Sequence, residues 1–307
     1  MSDTKISALI ATAGARPQML RKTVQAMFDQ DYAGHIEVVV VFDYVEIDDL
    51  SDLAVPPHRS LVTVVNNRSK GLAGGRNTGL SVAQGELIGF CDDDDYWYPQ
   101  RISAQLALWQ KHPEAVAISS SIKVRSEGKD IVRQAPEVTT FKDFLLSRHI
   151  EINPCTTLFK RENLLEDGRI GLVDEDLPAA YGEDYDLLLR ATRLGDIYSI
   201  QSPGALILWD RPSFFSGRWK SMVEGLTYIL QKFPEFEQQP KGLARIAGQI
   251  AFAYAALGDQ KMALAYTRSA LSRDPKQLRA WAALLVAIGM IKPQLLLDLV
   301  NKTGRGL

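Results

Sequence analysis

Four runs of apolar residues lie within the first hundred positions of the chain, and each has the length of a short strand. They occupy residues 6–11, 38–41, 61–65 and 86–90. Continuous apolar runs of this kind are typical of strands buried in a parallel sheet. Between the first two runs, Leu20, Val24 and Met27 recur at helical spacing and predict a helix from about Pro17. The alternation predicts βαβ units of an open α/β sheet, an arrangement that often binds nucleotides.

The pattern continues less regularly towards residue 215. Ile102, Leu106 and Trp109 predict another amphipathic helix, and residues 116–120 predict another strand. Residues 121–180 are less periodic and richer in charge and loop signals. Order returns with a predicted helix over residues 184–194, closed by Gly195 as its C-cap, and with short strands at 197–200 and 206–209. We therefore expect one α/β domain over residues 1–215.

The remaining residues, 216–307, have no strand pattern and predict a small all-α tail. Residues 250–275 predict two helices that are broken at Gly258 and Asp259 and closed by Pro275. Small residues on these helices would let them pack closely, as in one tetratricopeptide unit: Ala255, Ala263 and Ala270. A single unit cannot bury its own apolar face. We therefore expect the tail to pack on the rest of the chain or to form a homo-oligomer contact.

Composition and charge narrow the class of protein. The 307 residues are 46% hydrophobic and 23% charged, as in an ordinary globular protein, and the formal net charge is -2. No global positive field recruits nucleic acid, so we expect no nucleic-acid partner. Only Cys91 and Cys155 occur, which favours a reducing compartment over a disulfide framework. With no secretory signal and no apolar run of about 20 residues, we expect a cytoplasmic protein, with peripheral membrane association left open.

Four adjacent aspartates carry the strongest chemical signal. Asp92 to Asp95 directly follow the strand predicted at residues 86–90 and precede Tyr96. Adjacent carboxylates repel one another, so such a cluster at a strand end is tolerable mainly where a cation neutralises it. Alternate side chains share a face, so Asp92 and Asp94 can converge on one ion while Asp93 and Asp95 point elsewhere. Oxygen ligands favour Mg²⁺ or Mn²⁺. The alternative is an acidic solvated turn, and spacing alone does not separate the two.

Four separated segments together resemble glycosyltransferase family 2 enzymes of the GT-A fold. They read ISALIATAGARPQMLRKTVQAMFDQDY, EVVVVFD, NNRSKGLAGGRNTGLSVAQGELIGFCDDDDYWYP and GEDYDLLLRA. The resemblance covers roughly residues 4–215. It implies a Rossmann-like mixed sheet flanked by helices, with a donor-nucleotide half over residues 1–100 and an acceptor half over residues 101–215.

The resemblance assigns the donor site residue by residue. Thr12 falls where the family contacts the nucleotide, and Asp43 matches an aspartate that hydrogen-bonds the base, commonly uracil. The family usually has two adjacent aspartates there, and this chain has Phe42 in place of the first. The Gly-rich loop supplies donor-binding positions in which a basic side chain can meet phosphate: Gly71, Gly75, Arg76 and Asn77. The alternative for the glycines is a tight turn.

The resemblance also assigns the metal and the catalytic base. Asp92 and Asp93 match donor-binding positions, with Asp94 as the expected direct metal ligand and Asp92 beside it. Asp184 matches the catalytic base of inverting members and lies, with Glu183, at a predicted helix N-terminus that favours an ionised carboxylate. The alternative is that these two acids only cap the helix.

Weaker candidates lie elsewhere. His149, in a predicted loop, can meet an acceptor or simply be solvated, and Trp97 can stack on a sugar or pack locally. Arg211 lies near a place where some family members have a late metal or phosphate contact, but this chain has no histidine there.

Together these features predict a metal-dependent inverting glycosyltransferase. The expected donor is a nucleotide sugar, first a UDP-sugar. The expected acceptor is a hydroxyl of a glycan or of a lipid-linked intermediate, in cell-surface polysaccharide synthesis. A nucleotidyltransferase of related fold and a non-catalytic helical scaffold are the alternatives. The first releases pyrophosphate in place of a nucleoside diphosphate, and the second has no reason to keep like charges in a cleft.

Overall fold

The computed structural model describes residues 4–126, 128–209 and 218–296. The chain forms two compact units. The first comprises Met1–Phe144, His149–Asp176 and Glu183–Arg211, and the second comprises Leu145–Arg148, Leu177–Gly182 and Pro212–Leu307. The boundary predicted after residue 215 lies outside the described residues.

Within the described residues, the first unit contains one mixed sheet of ten strands. In chain order they are β1 Ile6–Thr12, β2 Ile36–Phe42, β3 Arg59–Val65, β4 Leu87–Asp92, β5 Tyr96–Trp97, β6 Ala117–Ser126, β7 Lys129–Arg133, β8 Val138–Thr139, β9 Leu158–Lys160 and β10 Ile197–Leu208. The helices up to β10 are α1 Pro17–Phe28, α2 Leu72–Val82, α3 Arg101–Lys111, α4 Phe141–Leu146 and α5 Glu183–Thr192. The strands and helices predicted in the first hundred residues are confirmed.

The strand order is β3-β2-β1-β4-β9-β6-β10-β5, with β7 on β6 and β8 on β10. The first four strands are parallel, and β9 is antiparallel to both β4 and β6. The sheet grows in opposite directions from β1, towards β2 on one side and β4 on the other. Ligands of open α/β sheets bind in the crevice at such a reversal, outside the carboxyl ends of the strands.

Burial explains why the central strands are continuous apolar runs. All seven residues of β2 are buried because β1 and β3 flank it and helices cover the sheet, whereas β3, at the edge, is only half-buried. The same core contains the face of α1 that carries Leu20, Val24 and Met27. This packing holds the carboxyl ends of β1, β2 and β4 at one edge.

The second unit is helical after its short early segments. Its described helices are α6 Trp219–Lys232, α7 Pro240–Leu257, α8 Gln260–Arg273 and α9 Leu278–Ala287. The predicted break between α7 and α8 is confirmed: Gly258 is left-handed at φ +81°, and the Asp259 side chain accepts a hydrogen bond from the Met262 N–H at 3.0 Å. The alanines at 255, 263 and 270 are buried where these helices pack. Among the described helices, none combines the length and the apolar character needed to cross a bilayer.

Candidate active site

The carboxyl ends of β1 and β4 are joined by a buried hydrogen bond. Thr12, the last residue of β1, donates from Oγ1 to Asp93 Oδ2 at 2.6 Å, and the Gly14 N–H donates to the same hydroxyl at 3.0 Å. The register places Ala11 beside Asp92, so the predicted donor residue Thr12 and the aspartate cluster lie together. Thr12 is itself buried, and its hydroxyl organises the cluster.

The four aspartates alternate in burial, although the extended backbone expected here ends with β4 at Asp92 and a turn follows, in which the Asp95 N–H donates to the Asp92 carbonyl at 3.2 Å. Asp93 and Asp95 are 3% and 4% exposed, whereas the side chains of Asp92 and Asp94 are 41% and 17% exposed. The two more accessible carboxylates are therefore those expected to hold a metal ion. Their role as ligands stays a prediction.

Two arginines neutralise part of this negative charge. Arg16, just after β1, forms ion pairs with Asp93 and Asp94, and Arg76 Nη2 lies 3.3 Å from Asp92 Oδ1. The sequence argument that the cluster needs a cation from solution was incomplete, because it considered only neighbours along the chain. Arg16 could have been found from the sequence as a basic residue shortly after β1. The carboxyl ends of adjacent parallel strands meet at one edge of a sheet, so a residue there can reach the end of β4.

The two innermost carboxyl groups have raised pKa values. Burial, and then the charges of Asp92 and Asp94, raise the pKa of Asp95 well above its ordinary value, although the Leu208 N–H donates to Asp95 Oδ1 at 3.2 Å. Burial likewise raises the pKa of Asp93, against the opposing effects of Thr12 and Arg16. Asp95 is therefore a buried acid that accepts a hydrogen bond from the backbone of β10.

The donor atoms at this edge suit a hard divalent ion. Asp92, Asp95 and Cys155 each place a ligand atom within 4.8 Å of the others. A hydrogen bond with Cys91, followed by burial, raises the pKa of the Cys155 thiol, which disfavours the thiolate form that binds metals. Carboxylate oxygens remain, and these are the ligands that Mg²⁺ and Mn²⁺ prefer.

The predicted base-binding residue, Asp43, also shapes the Gly-rich loop. Its Oδ2 accepts a hydrogen bond from the Gly71 N–H at 3.0 Å, and its Oδ1 accepts one from Asn66 Nδ2 at 2.8 Å. Gly71 caps α2 at φ +115°, and a Cβ at position 74 would lie 1.9 Å from the Ser69 carbonyl oxygen, so glycine is required at both places. Contact between Asp43 and a nucleotide base stays a prediction.

Arg76 is buried between α5 and the end of β4. It donates from Nη1 to Glu183 Oε1 at 2.8 Å and from Nη2 to Asp92 Oδ1 at 3.3 Å, and its guanidinium lies 5.4 Å from the centroid of the Phe90 ring. Burial opposes its charge, but the nearby carboxylates outweigh that effect and raise the pKa of Arg76. The guanidinium expected to meet a phosphate is thus occupied by two carboxylates.

Asn77 connects α2 to the segment that precedes α5. Its Nδ2 donates to the Val173 carbonyl at 2.8 Å and to Glu175 Oε1 at 2.7 Å, and its Oδ1 accepts from the Val173 N–H at 2.9 Å. Glu175 also accepts from the Ser69 N–H at 3.0 Å and from Arg68 at 3.3 Å. Sequence reasoning missed Glu175, because residues 121–180 lack a periodic pattern that would have placed it.

The first turn of α5 contains the two acids predicted for catalysis. Glu183 is 5% exposed and accepts from Arg76, whereas Asp184 is half-buried and its negative charge contributes to raising the pKa of Arg76. On the same helix, Asp186 and Arg190 form an ion pair one turn apart, at 2.8 Å. Of the two candidates, Asp184 is therefore the more accessible, and Glu183 is committed to an ion pair.

Of the three weaker site candidates from the sequence, two lie within the described residues, and each has its own contacts. Trp97 is 2% exposed, with the Arg101 guanidinium 3.9 Å from its ring centroid, so local packing accounts for it and its faces are not available to stack on a sugar. His149 lies at φ +41° with Nδ1 3.3 Å from Glu151 Oε1 and its ring edge on Phe144. Arg211 lies outside the described residues.

Comparison with known proteins places this geometry in context. The sequence model of the family described as Glycosyl transferase family 2 matches residues 7–167, just over half of the chain. One relative is the UDP-Glc:alpha-D-GlcNAc-diphosphoundecaprenol beta-1,3-glucosyltransferase WfaP of Escherichia coli, 34% identical over 102 residues. The match covers 33% of this chain and 39% of WfaP, so the chain spans less than two thirds of that relative's length.

Two solved structures share the architecture. S. aureus TarS 1–349 in complex with UDP-GlcNAc aligns with a TM-score of 0.59 and 18% identity, covering 98% of this chain and 92% of that one. The mannosyltransferase PcManGT from Pyrobaculum calidifontis, in complex with GDP-Man and Mn2+, aligns with a TM-score of 0.55 and 18% identity, covering 94% and 87%. At such identities the likeness establishes the shared fold alone.

Proposed function

Because this chain belongs to glycosyl transferase family 2 and its sheet and flanking helices match those of GT-A structures, we propose that it transfers a sugar from a nucleotide diphosphate sugar to an acceptor hydroxyl. Transfer proceeds with inversion at the anomeric carbon. The leaving group is a nucleoside diphosphate, which distinguishes this reaction from that of a nucleotidyltransferase, which releases pyrophosphate.

The observation that carries the proposal is the Arg76 bridge. One guanidinium contacts Asp92, in the cluster at the end of β4, and Glu183, adjacent to Asp184 in the first turn of α5. The bridge therefore keeps the candidate base close to the carboxylates that would hold the donor. Such closeness lets an acceptor hydroxyl approach the anomeric carbon and the base together, and orientation of this kind lowers the barrier of a two-substrate reaction.

The carboxylates fit a divalent ion, Mg²⁺ or Mn²⁺. Asp94 and Asp92 are the residues that would hold it, since they are the accessible members of the cluster and offer oxygen ligands. When bound, such an ion supplies Lewis-acid stabilisation of the negative charge on the departing diphosphate. Arg16, paired with Asp94, adds positive charge beside the same carboxylates.

The proposed donor is a UDP-sugar. Asp43 presents a hydrogen-bond acceptor at the end of β2, which suits the imide N–H of uracil, and Thr12 and the Gly71 loop line the same edge. TarS binds UDP-GlcNAc and PcManGT binds GDP-Man on this fold. The choice of nucleotide base is therefore set by the residues that contact it and not by the fold.

The proposed acceptor is a glycan or lipid-linked hydroxyl in cell-surface polysaccharide synthesis. WfaP, by its name, acts on a GlcNAc-diphosphoundecaprenol acceptor. A lipid-linked acceptor would have the enzyme work at the cytoplasmic face of a membrane to which it binds peripherally.

Asp184 performs the proton transfer in this scheme. An acceptor hydroxyl is a poor nucleophile at neutral pH, and removal of its proton by a positioned carboxylate contributes about 10² to 10⁴-fold in rate. The helix N-terminus favours the ionised form that a base requires. Glu183 holds Arg76, and thereby the helix, in place.

The test is Asp184→Asn in the full chain. The variant should bind UDP and Mn²⁺ like the parent, unfold at nearly the same temperature, and release UDP from a UDP-sugar with acceptor about 10² to 10⁴-fold more slowly. Asp167→Asn, the same change at an exposed turn, is the control. Near-parental transfer by Asp184→Asn, or loss of its fold, would make Asp184 a helix cap and refute the assignment.

A further inference from the structure

The described part of the second unit carries an apolar stripe on its surface. Leu278 is 80% exposed, Trp281 is 46% exposed and Ile288 is 49% exposed, although all three are apolar. They recur at helical spacing along and just after α9, so they share one face. The opposite face packs in the core through Ala280, Ala283 and Val286. Met290 and Leu295, which follow the helix in sequence, are also exposed apolar residues, at 69% and 62%.

The stripe itself contains almost no polar side chains. Arg279 is the one ionisable residue of α9, and the exposed face presents apolar side chains from end to end. Water-facing helices normally carry charged residues there. Adjoining apolar side chains in such an exposed position mark an interaction surface.

The segment of the sequence that contains the stripe is strongly basic. Residues 240–296 contain two acidic side chains, Asp259 and Asp274, against eight basic ones: Lys241, Arg245, Lys261, Arg268, Arg273, Lys276, Arg279 and Lys292. The whole chain has a formal charge of -2, so the positive charge is concentrated in this segment. Lys276 and Lys292 are exposed and flank the stripe at either end.

The positive charge of this segment favours an anionic partner. We propose that the α9 face, defined as Leu278, Trp281 and Ile288 with the flanking Lys276 and Lys292, docks on an anionic phospholipid bilayer. A second copy of the chain would bring the same excess of positive charge to a self-complementary contact, which is unfavourable. Anionic lipid attracts each basic residue, and apolar side chains gain by entering the boundary between headgroups and acyl chains.

Trp281 suits this boundary in particular. Its indole N–H donates to the Pro275 carbonyl at 2.9 Å, so that its polar group is satisfied while the ring is presented to the surface. Tryptophan is enriched where a membrane meets water, because its ring is apolar and its N–H is polar. A bilayer is also where the lipid-linked acceptor of the proposed function would be found, but the docking surface rests on its own observations.

The experiment measures binding of the full chain to vesicles by co-sedimentation. The chain should sediment with phosphatidylcholine vesicles that contain phosphatidylglycerol, bind less at high salt, and bind poorly to phosphatidylcholine alone. Leu278→Glu should weaken binding about tenfold or more, because it replaces an inserted apolar group with a charge that the surface repels. Val132→Glu, a matched change at a residue 51% exposed on β7, should bind like the parent.

Other outcomes overturn the proposal. Absence of salt-dependent sedimentation with anionic vesicles, or equal binding by Leu278→Glu and the parent, would do so. If light scattering finds a parental dimer that Leu278→Glu converts to a monomer while vesicle binding persists, the face is a contact between copies. Melting temperatures confirm that each variant folds. Transfer to a soluble acceptor should be unchanged in Leu278→Glu, so failure of docking and failure of the proposed reaction are separate results.

Discussion

The sharpest structural prediction concerns Arg76. Replacing it with methionine keeps an unbranched side chain of similar length against Phe90 while removing the charge that faces Glu183. The Glu183 side chain is 7% exposed, so the change leaves a carboxylate in a nearly dry site. Breaking a buried pair in this way costs about 3–5 kcal/mol. The contribution of the Asp92 contact is small by comparison, because that side chain is 41% exposed and well solvated.

Urea unfolding of the metal-free full chain measures this cost. Arg76→Met should lower the free energy of unfolding by about 3–5 kcal/mol, and the double variant Arg76→Met/Glu183→Met should recover most of it, since both charges are then gone. The deficit of the single variant should shrink from about pH 8 to about pH 5, because a carboxyl group in a dry site favours its protonated form. Arg268→Met, at an exposed position on α8, is the matched control. A loss below about 1 kcal/mol, or no recovery in the double variant, would refute a structural bridge.

Three further predictions test the proposed donor site and the loop that supports it. Donor binding should require Mg²⁺ or Mn²⁺, and Asp94→Ala should lose most of the metal dependence together with the activity; undiminished turnover in excess chelator would contradict this. UDP should bind more tightly than GDP by calorimetry, because Asp43 offers an acceptor to an imide N–H, and the reverse order would overturn that assignment. Burial opposes ionisation of Glu175, but hydrogen bonds from Ser69, Asn77 and Arg68 outweigh it and lower the pKa of Glu175, so its ionised form stabilises the fold above about pH 4.3 and that contribution is lost in stronger acid. Glu175→Gln should therefore be less stable than the parent at neutral pH, and the difference should narrow as the pH falls below about 4.3, whereas a gap independent of pH would exclude this cause.

Sequence patterns were sufficient wherever the evidence was local. The apolar runs of β1, β2 and β4 and the amphipathic face of α1 follow from side-chain periodicity, which depends on neighbours a few residues away. The break at Gly258 and Asp259 was visible for the same reason, since a left-handed glycine and an N-cap aspartate are local devices. Asp92 and Asp94 are the more accessible aspartates, as expected, but the reason given for it was wrong, because the backbone turns after Asp92 and is not extended there.

The partners of the charged residues depended on the tertiary structure. Arg16 is 78 residues from Asp94, and Arg76 is 107 residues from Glu183, so no local pattern pairs them. They meet because β1 lies beside β4 and because the fold brings the first turn of α5 within hydrogen-bond distance of Arg76 on α2. The burial of Trp97 against the Arg101 guanidinium also depends on the tertiary structure, because packing around β5 decides whether this side chain is covered.

The sequence by itself thus determined the order of strands and helices from β1 to β4, the acidic cluster and the family, because each is encoded in residues close together or in motifs kept in order. It did not predict β7, β8 and β9, and the two strands expected at 197–200 and 206–209 are the single strand β10. Only the tertiary structure decided which carboxylates are accessible, which have raised pKa values, and which are already paired with arginine. Those properties depend on burial and on charges brought within a few ångströms by packing. Electrostatic free energies change steeply with both, so the chemistry of the site is set after the chain has folded.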